Sequence, residues 1–255
     1  MNPEKNDYKI FLIQKLALWR EKKNLSVALF DFDDTLIKTR KIFIKQIELY
    51  VEACIKEMPH LSFDEVLTKL KEINKTVYQT EKVNPQRWKT VAKILGSIYI
   101  TKNRNIFAEK LNILNEIYII IPEFYEGAFE TITILHKAGF RLGLVTHANK
   151  QWTLFKLKSL SLENLFESVT IAHEDKFKDF RDWENAITTF HVSPQQAIVI
   201  GDNIKGDIEA ARKAGVKSLV WLNVEQWSVY LQQEKPKETI IIDEISKLIP
   251  TLLAI

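Results

Sequence analysis

The 255-residue chain lacks the features of disulfide-stabilised and membrane-spanning proteins. Its single cysteine, Cys54, excludes an internal disulfide, and its helical context favours a small buried apolar side chain. No apolar run is long enough to cross a bilayer. The apolar segment 10–19 is interrupted by Lys15 and has no small-residue cleavage site, unlike a targeting signal. These absences predict a cytoplasmic protein with no membrane span.

The charge is balanced as well. The chain has 36 basic and 33 acidic residues, which give a net charge of +3, and the basic residues are scattered rather than clustered. This distribution argues against a nucleic-acid partner. At 46% hydrophobic residues the chain can bury a sizeable core, as one large domain or as a domain with an insert.

The most informative stretch is an apolar run that ends abruptly in acidic residues. Residues 27–30 read as a short buried strand, and Asp31, Asp33 and Asp34 follow it directly. The carboxyl edge of an open α/β sheet is where ligands bind. Neighbouring carboxylates repel one another, so their placement beside an apolar strand favours a bound cation. The alternative is an acidic turn that caps a helix starting near Thr35.

A helical pattern then continues for the next 80 or so residues. Ser62, with Glu65 three positions later, forms a capping box, and Pro85 after Asn84 suits a helix start. Helices are predicted over 41–57, from 62, from 84 to about 100, and over 105–120. We expect residues 38–120 to form an all-helical cap over the first strand's carboxyl edge. Residues 1–37 and 121–255 would form an α/β core, with an amphipathic helix over 8–23 packed on it. A weak contact of this helix with a membrane surface or a partner is the less favoured alternative.

From residue 126 onward, helices and strands alternate, which predicts a Rossmann-like parallel sheet with helices on both faces. Helices are expected over 127–137, 152–159, through Trp183 and Ile187, and over 208–213, and strands over 141–145, 168–172, 197–200, 218–222 and 239–242. Polar residues follow several of these strands: Thr146 and His147, Lys176 and Lys178, then Asp202 and Asp207. If the strand ends lie side by side, these residues form one site. Carboxylates would bind magnesium there, while a lysine and a hydroxyl would orient a phosphate.

Four motifs at these strand ends resemble, in the same order, the signatures of haloacid dehalogenase-superfamily hydrolases. They are DFDDT at 31–35, LVTH at 144–147, a lysine in the loop 174–179, and GDNIKGD at 201–207. The segments YEGAFETITILHKAGF and IEAARKAGV also resemble family sequence. The similarity therefore covers nearly the whole chain apart from the N-terminal helix and the cap. It implies the phosphatase type of this superfamily, with a helical cap after the first strand.

The resemblance implies a role for each motif residue. Asp31 would be the nucleophile that forms an aspartyl-phosphate, and Asp33 would protonate the leaving alcohol and later activate water. Magnesium would be bound by Asp31, the main-chain carbonyl of Asp33 and Asp202, with Asp207 a second metal-site carboxylate or an orienting partner. Phosphate and substrate contacts would come from Thr35, Thr146, His147 and the loop lysine. For that lysine we prefer Lys176 slightly, and Lys178 is the alternative.

Other residues keep two interpretations. Asp34 either caps the next helix or contacts metal, and His147 either contacts the leaving group or is an ordinary hydrogen-bonded histidine. Arg87 and Trp88 would bind an anionic or planar part of a substrate, although packing of an amphipathic helix explains their positions at least as well.

The expected function is hydrolysis of a small phosphorylated metabolite. The presence of Asp33 favours phosphate esters, because the dehalogenase and phosphonate-cleaving branches of the superfamily lack an aspartate at this position. Two alternatives stay open: a catalytically weak binding or regulatory protein, and a phosphotransferase or phosphomutase that uses the same intermediate. The sequence leaves the natural substrate and the choice between monomer and dimer open.

Overall fold

The computed structural model describes residues 3–99, 104–224 and 237–255. Its centre is a six-stranded sheet in which every neighbouring pair of strands is parallel, in the order β3-β2-β1-β4-β5-β6. The strands are β1 Val27–Phe30, β2 Arg141–Thr146, β3 Ser168–Ile171, β4 Ala197–Gly201, β5 Ser218–Leu222 and β6 Ile240–Ile242. The structure thus confirms the predicted α/β class with a Rossmann-like parallel sheet.

The described helices flank the sheet or form a separate cluster after β1. In chain order they are α1 Pro3–Lys22, α2 Thr39–Ile55, α3 Phe63–Glu81, α4 Arg87–Ile98, α5 Ile106–Glu109, α6 Leu111–Asn115, α7 Ala128–Lys137, α8 Lys150–Ser159, α9 Phe180–Thr189, α10 Ala210–Lys213 and α11 Leu248–Leu253. None of the described helices is both long and apolar enough to span a membrane.

Burial on both faces explains why β1 is apolar throughout. All four of its residues are fully buried. Ala28 and Phe30 belong to the hydrophobic cluster on one face, with residues of α1, α7 and α11. Val27 and Leu29 belong to the cluster on the other face, with residues of α9 and α10. Because β1 lies between β2 and β4, the segment after it emerges beside the ends of both strands.

Helices α2 to α6 lie between β1 and β2 and share a separate hydrophobic cluster, which Trp152 of α8 joins. The Trp152 Nε1 donates a hydrogen bond to the Ile120 carbonyl at 3.2 Å. Within the cluster the buried Tyr50 hydroxyl donates to the Phe107 carbonyl at 2.7 Å. We call residues 38–120 the helical insert. The contact with Trp152 attaches the insert to α8, the core helix that follows β2.

Several predicted boundaries differ from the structure. The single helix expected over 105–120 is divided into α5, α6 and a 3-10 turn, Glu116–Ile119, because Lys110 has a ψ of 5° that interrupts the first helix. The helix expected from residue 208 begins earlier as a π-helical turn, Ile204–Glu209. No helix starts at Thr35, where the chain forms a tight turn before α2. The Ser62 cap is confirmed by its bond from the Glu65 amide, whereas residue 100, the expected end of α4, lies outside the described residues.

The packing of β2 against β1 leaves no room for a side chain at Gly143. A Cβ there would lie 2.7 Å from Leu29 Cδ2 and 2.8 Å from Phe190 Cε2. We expect Gly143→Ala to lower the free energy of unfolding by about 1 to 3 kcal/mol, because the surrounding side chains must shift to admit the methyl group. Urea denaturation measures this change. Ser159→Ala, at an exposed helix end, should stay within about 0.5 kcal/mol of wild type, and equal losses in the two variants would contradict the packing argument.

Candidate active site

The turn after β1 aims its three aspartates in different directions. The Asp31 amide still donates to the Ile200 carbonyl of β4 at 2.9 Å, which holds Asp31 at the sheet edge. Asp34 has a left-handed φ of 64°, and its Oδ1 accepts a hydrogen bond from the Arg40 amide in the first turn of α2 at 2.8 Å. The geometry favours the helix-capping interpretation of Asp34.

Three buried carboxylates meet at the carboxyl ends of β1 and β4. One oxygen from each of Asp31, Asp202 and Asp207 lies within 4.8 Å of the others. The Thr35 hydroxyl lies 3.1 Å from Asp31 Oδ2 and 3.1 Å from Asp202 Oδ1, and so connects two of them. The Asn203 amide donates to Asp207 Oδ2 at 2.9 Å. This cluster is assembled by β1, β4 and the π-helical turn together.

Burial and mutual repulsion raise the pKa values of two of these carboxyl groups. Burial raises the pKa of Asp31 to about 7; the Lys178 charge opposes this rise, and Asp207 and Asp33 add to it. Burial, followed by the charges of Asp31 and Asp207, also raises the pKa of Asp202 well above its usual value. Buried carboxylate oxygens grouped in this way are ligands that a hard divalent cation prefers, and such a cation would relieve their repulsion. The residues present therefore fit a magnesium ion.

The structure brings Lys178, and not Lys176, to the site. The Lys178 ammonium forms ion pairs with both Asp31 and Asp207 and donates to the Val145 carbonyl at 2.9 Å. Burial alone would lower the pKa of Lys178, but the Asp207 and Asp31 charges outweigh it and raise that pKa. Lys176 points elsewhere: its side chain is 44% exposed and lies 3.7 Å from an Asp182 oxygen. Our preference for Lys176 is therefore not supported by the geometry.

Asp33 is surrounded by donors. Its Oδ1 accepts hydrogen bonds from Thr39 and Lys156, and its Oδ2 lies 3.4 Å from the Thr146 hydroxyl. Lys156 is fully buried, with its ammonium 4.1 Å from the centre of the Trp152 ring. Sequence reasoning missed this lysine. The available signal was its spacing, since Lys156 lies four residues after Trp152 and therefore on the apolar face of α8.

His147 lies at the border between the sheet edge and the helical insert. Its ring packs edge-on against Phe177, with centroids 6.2 Å apart, and its buried Nε2 has no hydrogen-bond partner among the described residues. Burial lowers the pKa of His147 to about 4, and the positive charges of Lys178, Lys82 and Arg87 add to this effect. The imidazole is therefore neutral at pH 7.

Arg87 and Trp88 begin helix α4 in the insert. Arg87 is 5% exposed, and its guanidinium lies 4.6 Å from the centre of the Trp88 ring. The Trp88 indole is fully buried, and its Nε1 donates to the Tyr118 hydroxyl at 3.1 Å. For Trp88 these contacts favour the packing interpretation. Of the predicted site residues, the structure brings seven together with Lys178, and these are Asp31, Asp33, Thr35, Thr146, His147, Asp202 and Asp207.

The sequence was compared with known proteins. The sequence model of the haloacid dehalogenase-like hydrolase family matches residues 28–221. The chain belongs to this family. The hydrolase is 27% identical over 234 residues to the glyceraldehyde 3-phosphate phosphatase of Pyrococcus furiosus, a match that covers 90% of this chain and 94% of the relative. It is 25% identical over 230 residues to the pyrophosphatase PpaX of Bacillus mycoides, covering 89% and 97% of the two chains.

A solved structure supports the fold. The crystal structure of a haloacid dehalogenase-like family hydrolase from Xanthomonas campestris superimposes on this hydrolase with a TM-score of 0.70, at 15% sequence identity. The superposition covers 90% of this chain and 95% of the other.

Without metal, replacing Lys178 should lower the stability of the protein much more than replacing Lys176. Lys178→Met removes the cation bonded to Asp31 and Asp207, which leaves two buried carboxylates without their counter-charge. We expect a loss of about 3 to 5 kcal/mol in the free energy of unfolding at pH 8. The loss should be smaller at pH 5, because Asp31, whose pKa is about 7, is then protonated and needs no counter-charge. Urea denaturation in EDTA at the two pH values measures this difference.

Lys176→Met provides the matched control, because that lysine is half-exposed and its Asp182 contact is long. We expect it to change stability by less than about 1 kcal/mol at either pH. Equal losses in the two variants, or a larger loss for Lys178→Met at pH 5 than at pH 8, would contradict the charge assignment.

Proposed function

We propose that this hydrolase is a magnesium-dependent phosphatase that acts on a small phosphorylated metabolite through an aspartyl-phosphate. The observation that carries the proposal is the environment of Asp31, whose two carboxylate oxygens are held separately by Lys178 and Thr35. A carboxylate oriented in this way, and flanked by a second carboxyl group on Asp33, suits a nucleophile paired with a proton carrier. The phosphatase and pyrophosphatase names of the curated relatives agree with this chemistry.

In the first half-reaction an Asp31 oxygen attacks phosphorus while the bond from phosphorus to the leaving oxygen breaks. Asp33 gives its proton to that oxygen, so an alcohol departs. In the second half-reaction Asp33 takes a proton from water as the water oxygen attacks phosphorus. The bond from phosphorus to Asp31 breaks, which releases inorganic phosphate and restores both carboxyl groups.

The surrounding donors support these two roles. Lys178 would neutralise charge on the phosphoryl oxygens as well as on Asp31. Thr146 already lies near Asp33, and we assign its hydroxyl to a phosphoryl oxygen. Thr39 and Lys156 hold one Asp33 oxygen and would keep the carboxyl group aimed at the leaving group. His147, at the same strand end, would contact the leaving group.

Magnesium would be held by Asp31, Asp202 and the main-chain carbonyl of Asp33. Asp207 fits the orienting role better than direct metal ligation, because one of its oxygens pairs with Lys178 and the other accepts the Asn203 amide. When bound, the ion supplies the positive charge that lets an anionic carboxylate approach an anionic phosphate. The helical insert, residues 38–120, would act as the cap that covers the substrate and excludes water.

We expect Asp31→Asn to lower phosphate release by about 10³-fold or more, because the amide removes the attacking carboxylate oxygen. The measurement is colorimetric phosphate release from p-nitrophenyl phosphate, glyceraldehyde 3-phosphate and pyrophosphate, with magnesium and with EDTA. Asp175→Asn is the matched control, because Asp175 is exposed in the loop that carries Lys178. A folded wild type that binds magnesium and releases no phosphate from any substrate would overturn the proposal.

The raised pKa of Asp31 also predicts how magnesium binding depends on pH. The folded carboxyl group has a pKa of about 7 against 3.8 as the ordinary value, so without metal its contribution to stability falls as the pH rises through this interval. Magnesium binds the ionised form, so we expect it to raise the melting temperature more at pH 8 than at pH 5. Thermal denaturation at pH 5 and pH 8, each with EDTA and with excess magnesium, measures the rise in melting temperature at both pH values.

Asp202→Asn should reduce the magnesium-induced shift at pH 8, because the variant loses a charged ligand. An equal shift at pH 5 and pH 8, or an undiminished shift in Asp202→Asn, would be inconsistent with metal binding at this cluster.

A further inference from the structure

Arg87 is a buried cation without a counter-ion. It is 5% exposed, and no ion pair joins it to a carboxylate within the described ranges. One guanidinium nitrogen donates to the Lys82 carbonyl at 3.2 Å, and the buried Nε has no hydrogen-bond partner there. A buried charge that is unpaired and only partly hydrogen-bonded is costly. This cost suggests that an anion completes the environment of Arg87 when the protein is at work.

Aromatic rings surround the guanidinium on several sides. Besides the Trp88 ring, it lies 5.6 Å from the centre of the Phe43 ring and 5.7 Å from that of Tyr78. These rings limit the contact of the guanidinium with water and so strengthen its attraction for any anion that reaches it. The site is built into the start of α4 and the neighbouring helices rather than being a loose surface arginine.

Two series of ring contacts lead from Arg87 to the active site. On one side Tyr78 packs against Phe177 with centroids 5.9 Å apart, and Phe177 packs against His147, the residue after Thr146. On the other side Phe43 lies 6.0 Å from Trp152, whose ring contacts the ammonium of Lys156.

Both series end at residues beside or in contact with Asp33, since Thr146 and Lys156 each hydrogen-bond to its carboxylate. Asp33 marks the leaving-group side of the scissile phosphate in the proposed reaction. The ring contacts therefore place the insert, with Arg87, on the side toward which a leaving group bound at Asp33 would extend.

A second polar group without a partner lies along this path. The buried His147 Nε2 neither accepts nor donates a hydrogen bond within the described part of the chain, and the His147 ring is neutral at pH 7. Lys82 adds positive charge nearby, with its ammonium 3.9 Å from the centre of the Phe177 ring. The region therefore combines cationic groups with an unsatisfied imidazole nitrogen, which suits an anionic oxygen acceptor.

We propose that Arg87, with His147, forms a subsite for a second anionic group on the substrate, so that the enzyme prefers phosphate monoesters whose leaving group carries a carboxylate or a further phosphate. The inference rests on the proposed phosphatase function and adds a substrate class to it. Arg87 is then a specificity-determining residue that binds the end of the substrate opposite the scissile phosphate.

The test compares three substrates that share one carbon skeleton. Glycerol 3-phosphate has a hydroxymethyl group where 3-phosphoglycerate has a carboxylate and where glycerol 1,3-bisphosphate has a second phosphate. We expect wild-type kcat/KM to be higher for at least one anionic substrate than for glycerol 3-phosphate. Which of the two is favoured distinguishes a carboxylate from a phosphate ligand.

The preference is expressed as kcat/KM for the favoured anionic substrate divided by kcat/KM for glycerol 3-phosphate. Arg87→Gln should lower this ratio by about tenfold or more, and a loss that affects both substrates equally does not change it. Arg87→Lys, which keeps the charge, should restore part of the ratio. Lys93→Gln changes an exposed cation on the same helix and should leave the ratio at its wild-type value.

The subsite would be overturned if the wild type showed no preference for either anionic substrate. It would also be overturned if Arg87→Gln lowered kcat/KM by the same factor on all three substrates, or if Lys93→Gln changed the ratio as much as Arg87→Gln does. The absence of phosphate release from all three substrates and from p-nitrophenyl phosphate would instead reject the phosphatase function, and the subsite with it.

Discussion

The structure of the site depends on one electrostatic constraint, the burial of three neighbouring carboxylates beside the ammonium of Lys178. Asp31, Asp202 and Asp207 meet at the sheet edge, and Lys178 forms ion pairs with two of them. Burial raises the pKa of Asp31 and of Asp202 because water no longer solvates their ionised forms. The protein tolerates this arrangement because β1, β4 and the packed helices hold the groups in place. In the proposed function this cost favours metal binding, since closely grouped buried carboxylates attract a divalent cation.

Sequence pattern predicted the sheet and the acidic residues for one physical reason. A strand buried on both faces must be apolar along its length, so its end is visible as the first polar residue. Asp31 and Asp202 each follow such a strand, and the bounds of β5 were predicted to the residue. The loop lysine had no comparable signal. Lys176 and Lys178 lie two residues apart in irregular backbone, and only the tertiary structure places one beside Asp31 and the other beside Asp182.

The remaining differences come from tertiary contacts and from backbone angles that the sequence pattern does not reveal. Lys156 is a polar residue on the apolar face of α8, and its partner Asp33 is 123 residues away in the chain. The interruption at Lys110 and the π-helical turn before α10 depend on local backbone angles that periodicity does not reveal. The packing role of Trp88 required the position of Tyr118, from a different part of the insert. Propensity and period describe single elements, whereas these features arise where elements meet.

The contacts that attach the helical insert to the core also reach the surroundings of Asp33, the carboxylate to which we assign proton transfer. Trp152 joins the insert's hydrophobic cluster and bonds to the Ile120 carbonyl, and its ring also covers the ammonium that holds Asp33. Phe177, in the loop before α9, is shared in the same way between Tyr78 of the insert and His147 of the sheet edge. A shift of the insert would therefore change the surroundings of Asp33 at the same time. In the proposed reaction, substrate recognition by the insert and proton transfer by Asp33 would therefore be coupled through the same aromatic rings.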